Sequence, residues 1–190
     1  MVKVLKKLKF LFCLSFLISI VLFTGCSSTH HATGINAANN FKSKIKIKRK
    51  VTEVEIDIRN IRPDKLVDFA ETLQGIKYVY GSTNKEKGFD CSGFVWYVFN
   101  HFNIKVPRTA AEYTNAGKKV KPKKSRRGDI ILFTGSDQTS GVVGHMGIIT
   151  KSSKKAFQFI HAASGGNKGV TVSSMSEYYY KRFVKIVRVF

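Results

Sequence analysis

Cys91, His145 and His161 are the residues of this 190-residue chain whose types and setting suit covalent chemistry. Cys91 follows Asp90 and precedes Ser92-Gly93-Phe94-Val95, so it falls in the first turn of a helix with Asp90 as its N-cap. Unpaired backbone N–H groups and the positive end of the helix dipole favour a thiolate there. The same N–H groups suit the oxyanion of an acyl-transfer intermediate. A thiolate needs a proton acceptor. His145 opens one strand in Gly144-His145-Met146-Gly147, and His161 ends the next in Phe159-Ile160-His161-Ala162. Neighbouring strand ends put both imidazoles on one rim, which predicts a Cys91–His145 thiolate–imidazolium pair with His161 orienting the His145 ring. Taken singly, a cysteine at a helix start is an ordinary packing residue, and each histidine an ordinary hydrogen-bonded core residue. Zinc is the competing use of the same three side chains, but a fourth ligand is missing and the surroundings are glycine-rich.

The elements that must position these residues read as helices first and strands afterwards. Pro63, then Leu66, Phe69, Ala70 and Leu73 on one stripe, and Gly75 as terminator predict a short amphipathic helix. A loop containing Tyr78, Tyr80 and Gly81 leads to the helix of Cys91, which turns Phe94, Val95, Val98, Phe99 and Phe102 inward. Thr109-Ala110-Ala111-Glu112 is a capping box and predicts a brief helix that stops at Gly117. Strands are expected over 130–133, 146–150, 156–161, 170–172 and 183–189. This order predicts an α+β fold with a mainly antiparallel sheet. Upstream, Val54, Ile56 and Ile58 alternate with Glu53, Glu55 and Asp57, which predicts one more strand.

Composition bounds what else the chain can be. With 33 Lys plus Arg against 12 Asp plus Glu, the formal charge is +21, yet 43% of residues are hydrophobic, enough for one domain with a core. Residues 1–25 read as a signal peptide: Lys3, Lys6, Lys7 and Lys9, then an apolar run from Phe10 to Phe23 that is short for a membrane span. The sequence Leu22-Phe23-Thr24-Gly25-Cys26-Ser27 resembles a bacterial lipobox, which makes Cys26 a lipid-anchored N-terminus. Cutting before Cys26 removes four lysines and leaves 21 − 4 = +17. It also removes Cys13, so Cys91 is the one free thiol of an exported protein. Residues 26–62 then form a polar tether, with His30 and His31 in it, and a basic arm holding six Lys or Arg over 42–50; residues 63–190 form the domain. A second basic cluster puts seven Lys or Arg in residues 118–127. The first basic run reads as a solvated strand face or part of the tether and the second as a solvated loop, and either reads alternatively as a contact for an anionic envelope surface. Neither interleaves the aromatics of a strand-binding groove, and no Walker or Rossmann glycine pattern appears, so nucleic acid is not the expected partner.

The run Tyr78-Val79-Tyr80-Gly81-Ser82 followed by Gly88-Phe89-Asp90-Cys91-Ser92-Gly93-Phe94-Val95 resembles the nucleophile segment of the NlpC-type cell-wall peptidases, which are papain-like. Pro107-Arg108-Thr109, Arg127-Gly128-Asp129-Ile130, Gly144-His145-Met146-Gly147 and Phe159-Ile160-His161-Ala162 continue the likeness in order, so that it covers about residues 64–190. The resemblance implies Cys91 as nucleophile, His145 as general base and His161 as the third member, with no metal or organic cofactor. It implies hydrolysis between γ-D-glutamyl and the diamino acid of peptidoglycan stem peptides. Tyr78 takes the position of a tyrosine that assists the oxyanion and substrate, and Tyr80 that of a packing aromatic. Ser82 departs from the usual glycine and would re-aim the loop beside Cys91. Asp90 and Ser92 have two open roles, binding the substrate's free amine or capping the helix; Arg108 is expected to be structural. Ser27 after the anchoring cysteine implies an outer membrane facing the periplasm, in a Gram-negative host. A wall-binding module with an auxiliary or inactive site, or an amidase or acyltransferase on the same fold, are the alternatives.

Overall fold

The structure, a computed structural model, describes residues 55–166 and 169–190. The expected signal, the Cys26 anchor, the tether and most of the basic arm lie outside the described residues. Pro63 begins helix α1 (Pro63–Glu71), its fixed φ suiting a position whose N–H would be unpaired anyway. The chain then winds on to Gly75, whose φ of +86° ends the turn. A two-rung hairpin, β1 (Thr83–Asn84) and β2 (Gly88–Phe89), leads into helix α2 (Cys91–His101). Asp90 caps α2 as expected, its carboxylate accepting the Gly93 N–H at 2.5 Å. Phe94, Val95, Val98 and Phe99 are fully buried, at about 1.5–3 kcal/mol for each such side chain. They hold α2 to the sheet.

The sheet has six strands in the order β3-β8-β4-β5-β6-β7, every neighbouring pair antiparallel. These are β3 (Lys118–Val120), β4 (Ile130–Thr134), β5 (Val143–Ser152), β6 (Phe157–Ala163), β7 (Gly169–Ser174) and β8 (Phe183–Arg188). Alternation divides the side chains between two cores. Ile130, Leu132, Met146, Ile148, Ile160 and Ala162 pack with α1 and α2, whereas Ile131, Phe133, Ile149 and Phe159 pack on the other face. A short helix, α3 (Glu177–Arg182), lies between β7 and β8 and sends Tyr179 to that second, smaller cluster. The α+β class with a mainly antiparallel sheet is therefore what forms.

Three expectations are corrected. Residues 55–58 form no strand; Ile56 instead drops into the main core with Ile58 half-buried against it, so the alternation marks burial without pairing. The Thr109–Glu112 box is real, with Glu112 accepting from both the backbone and the hydroxyl of Thr109 at 2.9 and 2.6 Å, but it opens a 3-10 turn over Glu112–Asn115. The basic cluster is not wholly loop, because Lys118–Val120 pairs with β8 and buries Val120.

Candidate active site

Cys91 sits at the first position of α2 and is buried, and it is a free cysteine. Its thiol donates to the Gly144 carbonyl at 3.9 Å, and backbone N–H groups of Ser92 and Met146 also act on the sulfur. The sulfur therefore rests against the β5 backbone on both sides of His145. No hydrogen bond joins the thiol directly to an imidazole among the described residues. Gly144 itself has no room for a side chain, since a Cβ there would stand 2.6 Å from the Gly135 Cα just beyond β4.

The two histidines are joined directly. His145 Nε2 and His161 Nδ1 are 2.8 Å apart, and His161 Nε2 lies 2.9 Å from Ser173 Oγ and 3.3 Å from the Tyr179 hydroxyl. Two tautomer assignments satisfy these contacts, running the donors in opposite directions, and the one that suits a base is the following. His145 Nε2–H donates to His161 Nδ1, and His161 Nε2–H donates to Ser173 or Tyr179, which leaves His145 Nδ1 with a free lone pair. A base requires that lone pair. Gly147 makes room for the arrangement, since a Cβ there would come within 2.9 Å of the Phe159 ring and 3.1 Å of the His161 Cβ.

Electrostatics differ from the sequence expectation of an ion pair. Burial, with the Asp90 charge adding to it, pushes the Cys91 thiol up to about 11 against the lowering effect of its backbone N–H neighbours. Burial lowers both histidines, and the Arg182 guanidinium lowers them further; His145 also feels His161. Desolvation therefore favours the neutral form of both the thiol and the imidazole.

Around the nucleophile, Asp90 and Ser92 are both buried. Arg108 donates to Asp90 Oδ2 at 2.8 Å and to Ser92 Oγ at 3.0 Å, while Ser92 Oγ donates to Asp90 Oδ1 at 3.2 Å. Asp90 makes the capping contact here, and Arg108 braces both Asp90 and Ser92. Tyr78 is half-buried, and burial followed by the charges of Cys91 and Asp90 raises its hydroxyl pKa, so it lies at the site. Tyr80 does not pack. It is 90% exposed, thrown outward at the turn that Gly81 makes with a φ of +74°. The Ser82 carbonyl accepts the Asp90 N–H at 3.1 Å, so this loop is pinned directly to the α2 cap. No group of three or more His, Cys, Asp or Glu side chains among the described residues could hold a metal ion. Sequence reasoning missed Ser173 and Tyr179, which hydrogen-bond His161 from β7 and α3, and Arg182, whose charge acts on both histidines; no spacing links them to Cys91.

A model of the NlpC/P60 family matches residues 75–189. The chain belongs to that family, a family of cysteine peptidases. It is 30% identical over 167 residues to the murein DD-endopeptidase MepS/murein LD-carboxypeptidase of Escherichia coli K12, covering 85% of this chain and 82% of that one. It is 35% identical over 126 residues to the γ-DL-glutamyl hydrolase of Bacillus subtilis, covering 66% of this chain but only 29% of that enzyme. Among solved structures it resembles an NlpC/P60 family protein from Bacillus cereus with a TM-score of 0.61 at 25% identity, over 70% of this chain and 42% of that one.

Proposed function

We propose that this protein is a peptidoglycan hydrolase, a cysteine endopeptidase that cleaves the bond between γ-D-glutamyl and the diamino acid of stem peptides. The observation that carries the reading is a free thiol at a helix N-terminus, set against the backbone on either side of a histidine that a second histidine orients. With burial favouring the neutral forms, His145 Nδ1 takes the proton as the sulfur attacks the carbonyl carbon. The N–H groups at the start of α2, with Tyr78 nearby, face the oxyanion that forms. His145 then delivers the proton to the leaving amine, and the C–N bond breaks to leave a thioester on Cys91. Water, deprotonated by His145, hydrolyses the thioester and returns the thiol. His161 holds the His145 ring with Nε2–H fixed, which keeps Nδ1 available throughout.

Cys91→Ala is expected to abolish release of stem-peptide fragments from purified peptidoglycan, and undiminished release would overturn the assignment. The E. coli relative is named for a D,D bond, and this favours a second reading in which crosslinks are cut. Product masses from defined muropeptides decide between them, since a D,D cut separates two stems and a γ-D-glutamyl cut shortens one.

We further infer that the chain works at the cell envelope, held by lipid on Cys26, with its basic runs facing anionic surfaces. Metabolic labelling with a palmitate analogue should mark the wild type and not Cys26→Ser. Equal labelling would remove the anchor.

A further inference from the structure

Arg182 is an arginine that the catalytic reading does not use. Arg108, Arg127 and Arg188 each meet a carboxylate, at 2.8 Å to Asp90, 2.6 Å to Asp68 and 2.7 Å to Asp129. Arg182 meets none among the described residues. Its Nη2 donates to the Thr134 and Gly135 carbonyls, both at 2.8 Å, its Nη1 donates to the Tyr178 hydroxyl, and its Nε is buried without a partner. The guanidinium also lies 4.9 Å from the centre of the Tyr178 ring. It is thus held rigidly by neutral groups while its charge stays uncompensated.

That charge borders a cavity of about 340 Å³ whose walls include His145, His161, Tyr178, Tyr179 and Arg182. A cation beside two imidazoles is unfavourable by itself, and it lowers the pKa of both. An anion in the cavity would relieve this, and a planar carboxylate is the shape a guanidinium fork best receives. The stem peptide of the proposed reaction supplies carboxylates next to the scissile bond.

We propose that the cavity bounded by Arg182, Tyr178 and the His145–His161 pair is a subsite for a free carboxylate of the stem peptide, on the leaving side of the bond. The assignment to the leaving side follows from His145, which must protonate the leaving amine and also lines this cavity. Asp90, Ser92 and Arg108 lie instead beside the sulfur. This inference rests on the endopeptidase reading, and it makes Arg182 a specificity residue that selects acid over amide.

The test uses the full chain and three synthetic tripeptides, L-alanyl-γ-D-glutamyl-diamino acid with all carboxylates free, with the diamino-acid carboxylate amidated, and with the D-glutamyl α-carboxylate amidated. Wild type should prefer the free acid over the diamino-acid amide by about 10- to 100-fold in KM, the size of one charge-assisted contact. Arg182→Gln should bring the two to the same KM, and Arg182→Lys should retain part of the preference. If the D-glutamyl amide is the peptide with the raised KM instead, the carboxylate subsite stands but its leaving-side assignment falls. Equal wild-type KM for all three peptides overturns the subsite, and this result needs no variant to fold. A loss in Arg182→Gln that is equal on acid and amide also overturns it, because bracing of the Thr134–Gly135 loop would then explain everything. Binding of the same peptides to Cys91→Ala by calorimetry separates the two readings. Acid-selective binding without cleavage by wild type sinks the endopeptidase reading alone.

Discussion

Arg108 and Arg182 stand at the two ends of the candidate site and are built in opposite ways. Arg108 is compensated: its fork meets the Asp90 carboxylate and Ser92 Oγ, and the same carboxylate caps α2. Arg182 is braced by carbonyls and a phenol, and its charge is left over. The consequences for chemistry are opposite in sign. At the Arg108 end the nearby carboxylate raises the thiol; at the Arg182 end the cation lowers the imidazoles. One end holds the nucleophile in place with paired charge. The other keeps an electrostatic demand that a substrate can meet.

The larger effect should come from breaking the compensated end. Asp90→Ala removes the α2 cap, strands the Arg108 guanidinium and deprives Ser92 of its acceptor. The expected cost is about 2–4 kcal/mol, summing a lost cap and lost charge-assisted bonds, read as a fall in the denaturant midpoint. Asp90→Asn keeps a capping oxygen and removes the charge, so its stability loss should be the smaller one. Its signature is the thiol: without the Asp90 charge, the midpoint of Cys91 alkylation against pH should move down from the wild-type value. An unmoved midpoint would mean that burial alone sets it.

The same contrast explains what the sequence could reveal. Asp90, Cys91 and Ser92 are consecutive, Arg108 follows in the same run of chain, and α2 is marked by its cap and its apolar stripe. Everything at that end is local. The other end is assembled from β5, β6, β7 and α3, and only His145 and His161 announce themselves by type. In the sequence Arg182 is one of 33 Lys and Arg residues. Its meaning depends on having no carboxylate nearby among the described residues, a property of three-dimensional neighbours that periodicity does not encode. Strand β3 was hidden for a related reason, since Lys118 and Lys119 read as solvated while the pairing comes from β8, about 70 residues away. Tyr80 went the other way. It has the composition of a packing residue, but the turn at Gly81 turns it out to solvent.

The smaller and sharper effect lies at the Arg182 end, in the response of stability to acid. His161 is 1% exposed, and its pKa is lowered to about 4, by burial first and the Arg182 charge second. In the unfolded chain the same ring titrates near 6.5. Between those two values the unfolded state binds a proton that the folded state refuses, so stability rises with pH there and falls as the solution is acidified. The contribution is complete above about pH 6.5 and is lost as pH drops through the folded pKa, at about 1.4 kcal/mol per pH unit for each such proton. His145 is lowered in the same direction and adds to the slope. His161→Gln keeps an acceptor for His145 Nε2–H and removes one titrating ring. Urea midpoints measured from pH 7 to pH 4 should therefore fall less steeply in His161→Gln than in wild type, and any carboxylate titrating elsewhere cancels in the comparison. Parallel lines would show that His161 takes up its proton while folded, and Arg182 could not then be carrying an unanswered charge beside it.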